Sequence, residues 1–321
     1  MKVLVTGVNG FIGQYLSRIL CEKGYSVKGT VRSHRRILSV LNTIDISIVD
    51  DIGTKTDWHK ILIDIDVIVH LAARVHIMKE ISNNPLMEYR QVNTLGTKHL
   101  AMQASNAGVK RMIYISTIKV NGERTNNKPF TEKDQPIPED FYAISKLDAE
   151  KYLCNIAEKT NLEVVILRPP LVYGAGVKGN FYNLLKLIKK GIPLPLSNIN
   201  NIRSLIYIEN LIDAIITCIQ HPSATNKIFL VSDYENLSTS EIIKLLSMAF
   251  NKSNRLFHVP AKLLYIAGII TGQSNTIKRL TDSLSIDSSK IRNELGWIPP
   301  FTVNQGFKDT VEWFNLNEYN L

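Results

Sequence analysis

The chain has 321 residues, of which 45% are hydrophobic and 21% are charged. This balance is typical of a globular protein that buries a sizeable core, and it excludes the disordered and fibrous classes. The net charge of +9 is compatible with an anionic partner. Because the lysines and arginines are spread along the chain rather than gathered in one tract, we expect no nucleic-acid partner.

The three cysteines lie far apart, at Cys21, Cys154 and Cys218, without the spacings that hold zinc or build a disulfide framework. We therefore expect reduced thiols, no bound metal and a cytoplasmic location. Because the opening residues MKVLVTG run directly into a predicted strand, we expect no leader peptide. The longest apolar run, at 263–272, is about half of the ~20 residues needed to cross a bilayer, so we expect no membrane insertion.

Short β-branched runs alternate with helical stretches through the first half of the chain, from KVLVT through DVIVHLAA at 66–73 to LEVVILRPP at 162–170. This alternation is typical of repeated βαβ units with a parallel sheet. From 173 onward the pattern changes to short segments rich in Gly, Pro and Asn, followed by helices. The sequence thus predicts an α/β protein, a Rossmann-type doubly wound parallel sheet with a smaller C-terminal substrate-binding lobe.

The pattern returns to the sheet once, because the amphipathic helix NLIDAIITCI is followed by the strand KIFLVS. We therefore predict a dinucleotide-binding domain over 1–172, with 206–233 returning to it. The lobe is predicted over 173–205 and 234–321.

Glycines stand between the first strand and the first helix, at Gly7, Gly10 and Gly13 in TGVNGFIG. Such a turn lets the backbone approach a pyrophosphate, and the helix N-terminus supplies unpaired amides and a positive dipole end. The spacing is G-x-x-G-x-x-G rather than the commoner G-x-G-x-x-G, and an ordinary turn is the alternative. The position directly after a strand and before an amphipathic helix favours a dinucleotide site.

The second strand ends in Val31 and Arg32, where a sequence specific for NAD should offer an acidic side chain to the ribose. Arg32 can instead pair with the 2′-phosphate of NADP, and Arg35 and Arg36 add positive charge. We therefore favour NADP(H), with NAD(H) as the alternative if this is only a solvated basic loop. Asp51 is predicted to accept a hydrogen bond from the adenine amino group, with a surface aspartate as the alternative.

Tyr142 and Lys146 form Y-x-x-x-K in YAISK, which places both on one face of a helix. A nearby ammonium lowers the pKa of a phenol, so we expect the tyrosine to exchange a proton with a carbinol or carbonyl oxygen near neutrality. A second copy, Tyr182 and Lys186 in YNLLK, is interpreted as helix surface. Only the first copy follows a buried strand that ends in two hydroxyl residues, at 116–117.

The chain resembles the extended short-chain dehydrogenases/reductases, which include nucleotide-sugar epimerases, dehydratases and ketoreductases. The resemblance rests on TGVNGFIG, VIVHLAA, VNTLGT, ISTIKVNGE, YAISK, LRPPLVYG, IRSLIYIENLIDA and DSSKIRNELGWIPP, which occur in family order. It implies Tyr142 as the acid/base, Lys146 as its partner and a contact of the nicotinamide ribose, and Thr117 as the hydroxyl that holds the reacting oxygen. Aligning through Val120 and Gly122 selects Thr117 over its neighbour.

The resemblance also implies further contacts with the dinucleotide. Besides the three glycines, Arg32, Asp51 and the Tyr142 and Lys146 pair, these are Asn9, Phe11, Ile12, Ile52, Leu71, Ala72, Ala73, Asn93 and Pro169.

In the lobe, Arg203 in IRSLIYIENL matches the arginine that contacts the substrate diphosphate in sugar-nucleotide members, and Arg279 is a looser candidate for a second contact. Asn180 and Phe181 match positions that contact the nucleotide. Lys119 is expected to face the sugar pocket, with its role left open.

Within this family, the segments LAARVHIM, STIKVNGE, RPPLVYG and NNIRSLIYIENL are most similar to bacterial enzymes of surface-polysaccharide synthesis. We favour a UDP-2-acetamido-2,6-dideoxy-hexos-4-ulose 4-reductase, because Arg32 indicates NADP. A UDP-glucose or UDP-N-acetylhexosamine 4-epimerase is the alternative. A dehydratase is disfavoured because Ile118 and Lys119 stand where its acidic residue is needed.

A hypothesis of another class is a dinucleotide-binding module without catalysis. It is disfavoured because a sensor has no reason to retain the tyrosine, lysine and hydroxyl together. The expected partner is a UDP-sugar substrate, and the sequence leaves a homodimer open.

Overall fold

The computed structural model describes residues 1–33, 44–75, 84–126 and 128–317. Arg35 and Arg36 of the predicted basic loop lie outside these ranges. The strands formed within them are β1 Lys2–Thr6, β2 Ser26–Val31, β3 Asp45–Ile48, β4 Val67–His70, β5 Arg111–Ile115, β6 Glu163–Arg168, β7 Leu171–Tyr173, β8 Arg203–Tyr207, β9 Lys227–Leu230 and β10 Asn236–Leu237.

The helices within the same ranges are α1 Phe11–Glu22, α2 Pro85–Tyr89, α3 Thr97–Asn106, α4 Phe141–Lys159, α5 Gly179–Lys189, α6 Ile208–Gln220, α7 Thr239–Ala249, α8 Ala261–Ile270, α9 Ser274–Thr281, α10 Ser289–Leu295 and α11 Val303–Asn317. A π-helical segment, Arg90–Gly96, joins α2 to α3. Among these helices, none is long and apolar enough to cross a membrane.

Seven strands form one parallel sheet in the order β3-β2-β1-β4-β5-β6-β9. The chain runs outward from β1 to β3 and then returns to β4 on the other side of β1. The carboxyl ends of β1 and β4 therefore form a switch point, which is where ligands bind in sheets of this kind. The predicted Rossmann-type fold is confirmed.

Alternate side chains of the sheet fill its two faces. Val3 and Val5 of β1 pack into one hydrophobic cluster with Leu16 and Leu20 of α1, whereas Leu4 packs into the other cluster. Because successive side chains of a strand point to opposite faces, a strand covered on both faces is apolar at nearly every position. This accounts for RMIYI in β5, where all five residues are buried.

A second sheet begins where the sequence pattern changes, with β7 parallel to β8 and β10 antiparallel to β8. Asp233 stabilises this second sheet. Its carboxylate accepts a hydrogen bond from the Tyr173 hydroxyl at 2.8 Å and one from the Tyr207 amide at 2.9 Å. β9 returns to the main sheet beside β6, as predicted from KIFLVS. The residue limits given above for the domain and the lobe stay a prediction.

Candidate functional site

A groove of about 1110 Å³ lies at the carboxyl ends of β1, β2 and β4. Twelve of the predicted dinucleotide contacts line it, namely Gly7, Asn9, Gly10, Phe11, Ile12, Gly13, Arg32, Asp51, Ile52, Leu71, Ala72 and Ala73. Sequence reasoning missed the lining residues 53–56. They follow Asp51 and Ile52 in the chain and carry no recognisable motif of their own.

The glycine turn in this groove has no room for side chains. A Cβ atom at Gly13 would lie 2.4 Å from the Gly7 carbonyl oxygen, and one at Gly7 would lie 3.1 Å from the Ala72 Cα atom. Gly7 also has a φ of +69°, which other residues rarely adopt. α1 begins directly after Gly10, whose position gives no side-chain hydrogen bond to the first-turn amides. A close backbone and uncapped amides fit a pyrophosphate.

The end of β4 is fixed against β1 by one hydroxyl. The Thr6 Oγ1 atom accepts hydrogen bonds from the amides of Leu71 and Ala72, both at 3.1 Å, and lies 2.7 Å from His70 Nδ1. Burial lowers the pKa of His70 to about 3, with the charge of Lys146 acting in the same direction. His70 is therefore neutral at physiological pH and positions the groove wall.

Arg32 and Asp51 both lie on the groove and both are exposed. Arg32 follows β2 directly, where a cofactor-binding strand delivers its ribose contact. Its guanidinium can bind a 2′-phosphate, and its position does not exclude a cofactor without one. The preference for NADP(H) thus stays a prediction.

α4 carries Tyr142 and Lys146 in its first two turns. Asp140 caps this helix, since its side chain accepts a hydrogen bond from a first-turn amide at 2.7 Å. Lys146 is only 2% exposed. α4 packs against the short 3₁₀ turn Ile118–Val120, which begins immediately after Thr117. The fold therefore brings all three predicted catalytic residues onto two contacting elements.

The expected lowering of the Tyr142 pKa by Lys146 is wrong for these side chains. Burial raises the pKa of Tyr142 above its ordinary value, and neighbouring Asp140 and Tyr89 act in the same direction. Burial lowers the pKa of Lys146 to about 7, against the opposing charge of Glu150. At neutral pH the phenol keeps its proton, so Tyr142 is set to donate one.

The two hydroxyls after β5 have different surroundings. Ser116 is buried and donates a hydrogen bond to the Glu150 carboxylate at 2.5 Å. The same carboxylate forms a buried ion pair with Arg168, with each side chain 3% exposed. Thr117 is half-buried, and among residues 1–33, 44–75, 84–126 and 128–317 its hydroxyl accepts only a long hydrogen bond, of 3.3 Å, from the Lys119 amide. These contacts favour Thr117 as the hydroxyl that meets a substrate.

Glu150 and Arg168 were not singled out from the sequence. Glu150 stands one helical turn beyond Lys146, and Arg168 is the last residue of β6. The signal that could have found them is the spacing Y-x-x-x-K-x-x-x-E together with an arginine at the end of an apolar strand.

Lys119 contacts two carboxylates at once. Its Nζ atom lies 2.7 Å from Glu123 Oε1 and 2.7 Å from Asp140 Oδ2. These pairs connect the turn after Thr117 with the cap of α4. A direct role for Lys119 toward a sugar stays a prediction.

Arg203, the first residue of β8, is half-buried and donates a hydrogen bond to the Asp282 carbonyl oxygen at 3.2 Å. Burial lowers the pKa of Arg203, and Arg279 lowers it as well, while Asp282 and Glu123 raise it. The two arginines predicted to bind diphosphate therefore lie within electrostatic reach of each other. Glu123, whose charge acts on Arg203, also forms an ion pair with Lys119.

The two candidate nucleotide contacts at the start of α5 have different surroundings. Asn180 is exposed, whereas Phe181 is 5% exposed and stacks on Tyr173 with ring centroids 5.7 Å apart. The Phe181 side chain therefore belongs to the core, and a contact of Asn180 or Phe181 with a nucleotide stays a prediction. Further along α5, Tyr182 is half-buried against Phe314 rather than being plain helix surface.

Asn93 and Pro169 hold the backbone around the site. The Asn93 amide group accepts a hydrogen bond from the Arg74 amide at 2.8 Å and donates one to Ser145 Oγ at 3.0 Å. The Pro169 carbonyl oxygen accepts a hydrogen bond from the Ile118 amide at 2.9 Å. Their direct contact with a dinucleotide stays a prediction.

Comparison with known proteins adds sequence and structural relatives. The profile of the NAD dependent epimerase/dehydratase family matches residues 3–232. The chain is 45% identical over 318 residues to a UDP-glucose 4-epimerase from Vibrio cholerae, covering 98% of this chain and 95% of that one. It is 25% identical over 326 residues to an N-acetyl-alpha-D-glucosaminyl-diphospho-ditrans,octacis-undecaprenol 4-epimerase from Escherichia coli O157:H7, covering 97% and 95%.

Among solved structures, UDP-glucuronic acid 4-epimerase from Bacillus cereus in complex with NAD is similar, with a TM-score of 0.78 and 23% identity over 98% of this chain and 99% of that one. UDP-glucose 4-epimerase from Thermotoga maritima with UDP-glucose also gives a TM-score of 0.78, at 22% identity. At these identities the likeness shows a common fold.

Proposed function

This chain belongs to the NAD dependent epimerase/dehydratase family. We propose that it is an enzyme that uses bound NAD to invert the C4 configuration of a UDP-linked hexose. The observation that carries the proposal is the 45% identity with the Vibrio cholerae epimerase, which extends over almost the full length of both chains. The reductase favoured from the sequence becomes the second candidate.

The groove residues would hold the dinucleotide, with its pyrophosphate at the glycine turn and the start of α1. When bound, the nicotinamide supplies an acceptor and a donor of hydride at the C4 position of the sugar. Lys146, one helical turn after Tyr142, would contact the nicotinamide ribose.

Proton transfer at the sugar is the part played by the chain itself. Tyr142 would take the proton of the C4 hydroxyl as hydride leaves C4, which requires its phenolate form, and would return that proton when hydride comes back to the other face; Thr117 would hold the same oxygen by a hydrogen bond. Burial favours the protonated phenol, so the positive charge of bound NAD would have to favour the phenolate. Arg203 and Arg279 would hold the diphosphate by charge-assisted hydrogen bonds. Because this anchoring acts on the diphosphate and not on the hexose, the sugar can turn and present its other face.

A 4,6-dehydratase is less well supported by the site. Ile118, directly after Thr117, is buried, and the carboxylates of Glu123 and Asp140 are both paired with Lys119. A carboxylate held in an ion pair is a weaker proton acceptor.

The second candidate is the 4-ketoreductase, and Arg32 is the observation that favours it. A reductase exchanges its cofactor at each turnover and commonly uses NADPH, whose 2′-phosphate Arg32 could bind. An epimerase keeps its NAD bound.

The deciding experiment uses the purified protein without added cofactor. We expect UDP-glucose or UDP-N-acetylglucosamine to be converted to its C4 epimer, with the products identified by NMR, and the denatured protein to release NAD. The Tyr142→Phe variant is the matched control. Inactivity toward these sugars, combined with NADPH-dependent reduction of a UDP-4-keto sugar, would establish the reductase instead.

A further inference from the structure

Helix α8 presents an apolar face that no described residue covers. Leu263, Ile266 and Ile270 are 55%, 51% and 79% exposed, and Ile269 at the edge of this face is 71% exposed. The first three recur at i, i+3 and i+7, so they share one side of the helix. On the opposite side, Gly268 packs closely on α9. A contiguous exposed face of this kind marks an interaction surface.

The stretch of chain that contains α8 is basic. Residues 242–281 contain no Asp or Glu and six basic residues, which are Lys244, Lys252, Arg255, Lys262, Lys278 and Arg279. Lys262 and Lys278 are exposed on α8 and on α9, which packs against it. The stretch thus contributes six of the net nine positive charges of the chain.

We propose that α8 docks on an anionic phospholipid bilayer, lying in the plane of its surface. Leu263, Ile266 and Ile270 would enter the acyl boundary while the flanking lysines contact lipid phosphates. α8 has ten residues, too few to span the bilayer, which is consistent with lying on it.

Other occupants fit less well. A second copy of this chain docked on α8 would bring the exposed Lys262 and Lys278 of both copies together, and like charges oppose such contact. Protein interfaces rely on Trp, Tyr and Arg anchors, whereas the exposed side chains of this face are aliphatic. An acidic protein partner is therefore an outcome of the test rather than the proposal.

The docking helix is connected to the candidate diphosphate site. The Tyr265 hydroxyl of α8 donates a hydrogen bond to Asp282 Oδ1 at 2.7 Å. The Asp282 carbonyl oxygen accepts the hydrogen bond from Arg203. Docking of α8 would thus hold Arg203 close to the membrane. Docking itself does not depend on catalytic activity.

The test is co-sedimentation of the full chain with vesicles of phosphatidylcholine alone or with about 30% phosphatidylglycerol. We expect binding only to the anionic vesicles, weakened by added salt. The double variant Ile266→Ser/Ile270→Ser should lose at least about tenfold in partition. The matched control is Ile137→Ser/Ile298→Ser, since both of those residues are 66% exposed and lie outside α8.

A second pair of variants tests the charge. Lys262→Glu/Lys278→Glu should reduce binding about as strongly, whereas Lys151→Glu/Lys159→Glu, exposed on α4, should not. Thermal melts check that each variant folds. The proposal is overturned if no vesicle binds, if neutral vesicles bind equally well, or if the α8 variants bind like wild type. A change of oligomeric state in Ile266→Ser/Ile270→Ser by sedimentation velocity would overturn it in favour of an interface between copies.

Discussion

The Lys146 ammonium nitrogen lies over the ring of Tyr114, 4.1 Å from the ring centroid. Tyr114 belongs to β5 and is fully buried, and Lys146 is 2% exposed. The ring face and the Glu150 carboxylate both favour the charged amine, yet burial outweighs them and lowers the pKa of Lys146 to about 7. The fold thus holds a lysine that changes charge near neutral pH beside the predicted acid/base.

This buried lysine should make stability depend on pH. Below pH 7 the folded and unfolded states both carry the proton, so the cost of the buried charge is fully present. Between the folded pKa of about 7 and the ordinary value of 10.5, only the unfolded state keeps the proton, and stability rises with pH. Lys146→Met should therefore be more stable than wild type at pH 6, and this advantage should shrink by about 1.4 kcal/mol per pH unit above pH 7.

Urea unfolding at about pH 6 and about pH 9 measures the effect. Lys186→Met, at the exposed lysine of the second Y-x-x-x-K copy, should show no such difference between the two pH values. An advantage of Lys146→Met that is independent of pH would contradict the lowered pKa.

Tyr142→Phe should bind dinucleotide and fold normally but lose about 10²- to 10⁴-fold in turnover, because the proton transfer at the C4 oxygen is removed. Tyr182→Phe is the matched control, since it removes a hydroxyl from the other Y-x-x-x-K copy on α5. Turnover of UDP-sugar is measured for both variants with thermal melts alongside. Near-normal turnover in Tyr142→Phe would remove the catalytic assignment.

Glu150→Gln should destabilise the protein by about 3 kcal/mol, because it leaves the Arg168 guanidinium buried without its counter-charge. The comparison is Glu22→Gln, which breaks the exposed pair with Arg18 and should change the free energy of unfolding by less than about 1 kcal/mol. Urea titrations of both variants give the difference. Equal effects would mean that the buried pair contributes no more than a surface one.

Arg203→Ala should weaken the binding of UDP by about ten- to a hundredfold and leave dinucleotide affinity nearly unchanged, because charge-assisted hydrogen bonds to the diphosphate are lost. Isothermal titration calorimetry with UDP and with NAD separates the two sites. Arg18→Ala, on α1, serves as the control for loss of a positive charge. Unchanged UDP affinity in Arg203→Ala would refute the role.

Arg32→Ala should weaken NADPH binding by about ten- to a hundredfold while NADH binding changes little, because only NADPH has a 2′-phosphate to pair with the guanidinium. Arg35→Ala, further along the predicted basic loop, should cost less. Fluorescence titration with each reduced cofactor provides the affinities. If wild type binds NADH as tightly as NADPH, Arg32 is a solvated residue and the reductase candidate loses its support.

The local parts of the site were readable from the sequence because local patterns encode them. Gly7, Gly10 and Gly13 stand where a strand meets a helix, and this position predicted the turn that lies in the groove. The apolar runs of β1, β4 and β5 predicted buried parallel strands, since covering both faces of a strand favours apolar residues at nearly every position. The spacing of Tyr142 and Lys146 predicted their common helix face.

Tertiary structure decided what depends on residues distant in the sequence. Alignment with the family selected Thr117 over Ser116, and the approach of Glu150 and Arg168 adds the physical reason, because the Ser116 hydroxyl is engaged in a buried hydrogen bond with Glu150. Phe181 packs against Tyr173 in the core, and Ile270 stays exposed although α8 packs on α9. Burial and pKa are set by neighbours that the fold assembles, because desolvation and charge act through space and not along the chain.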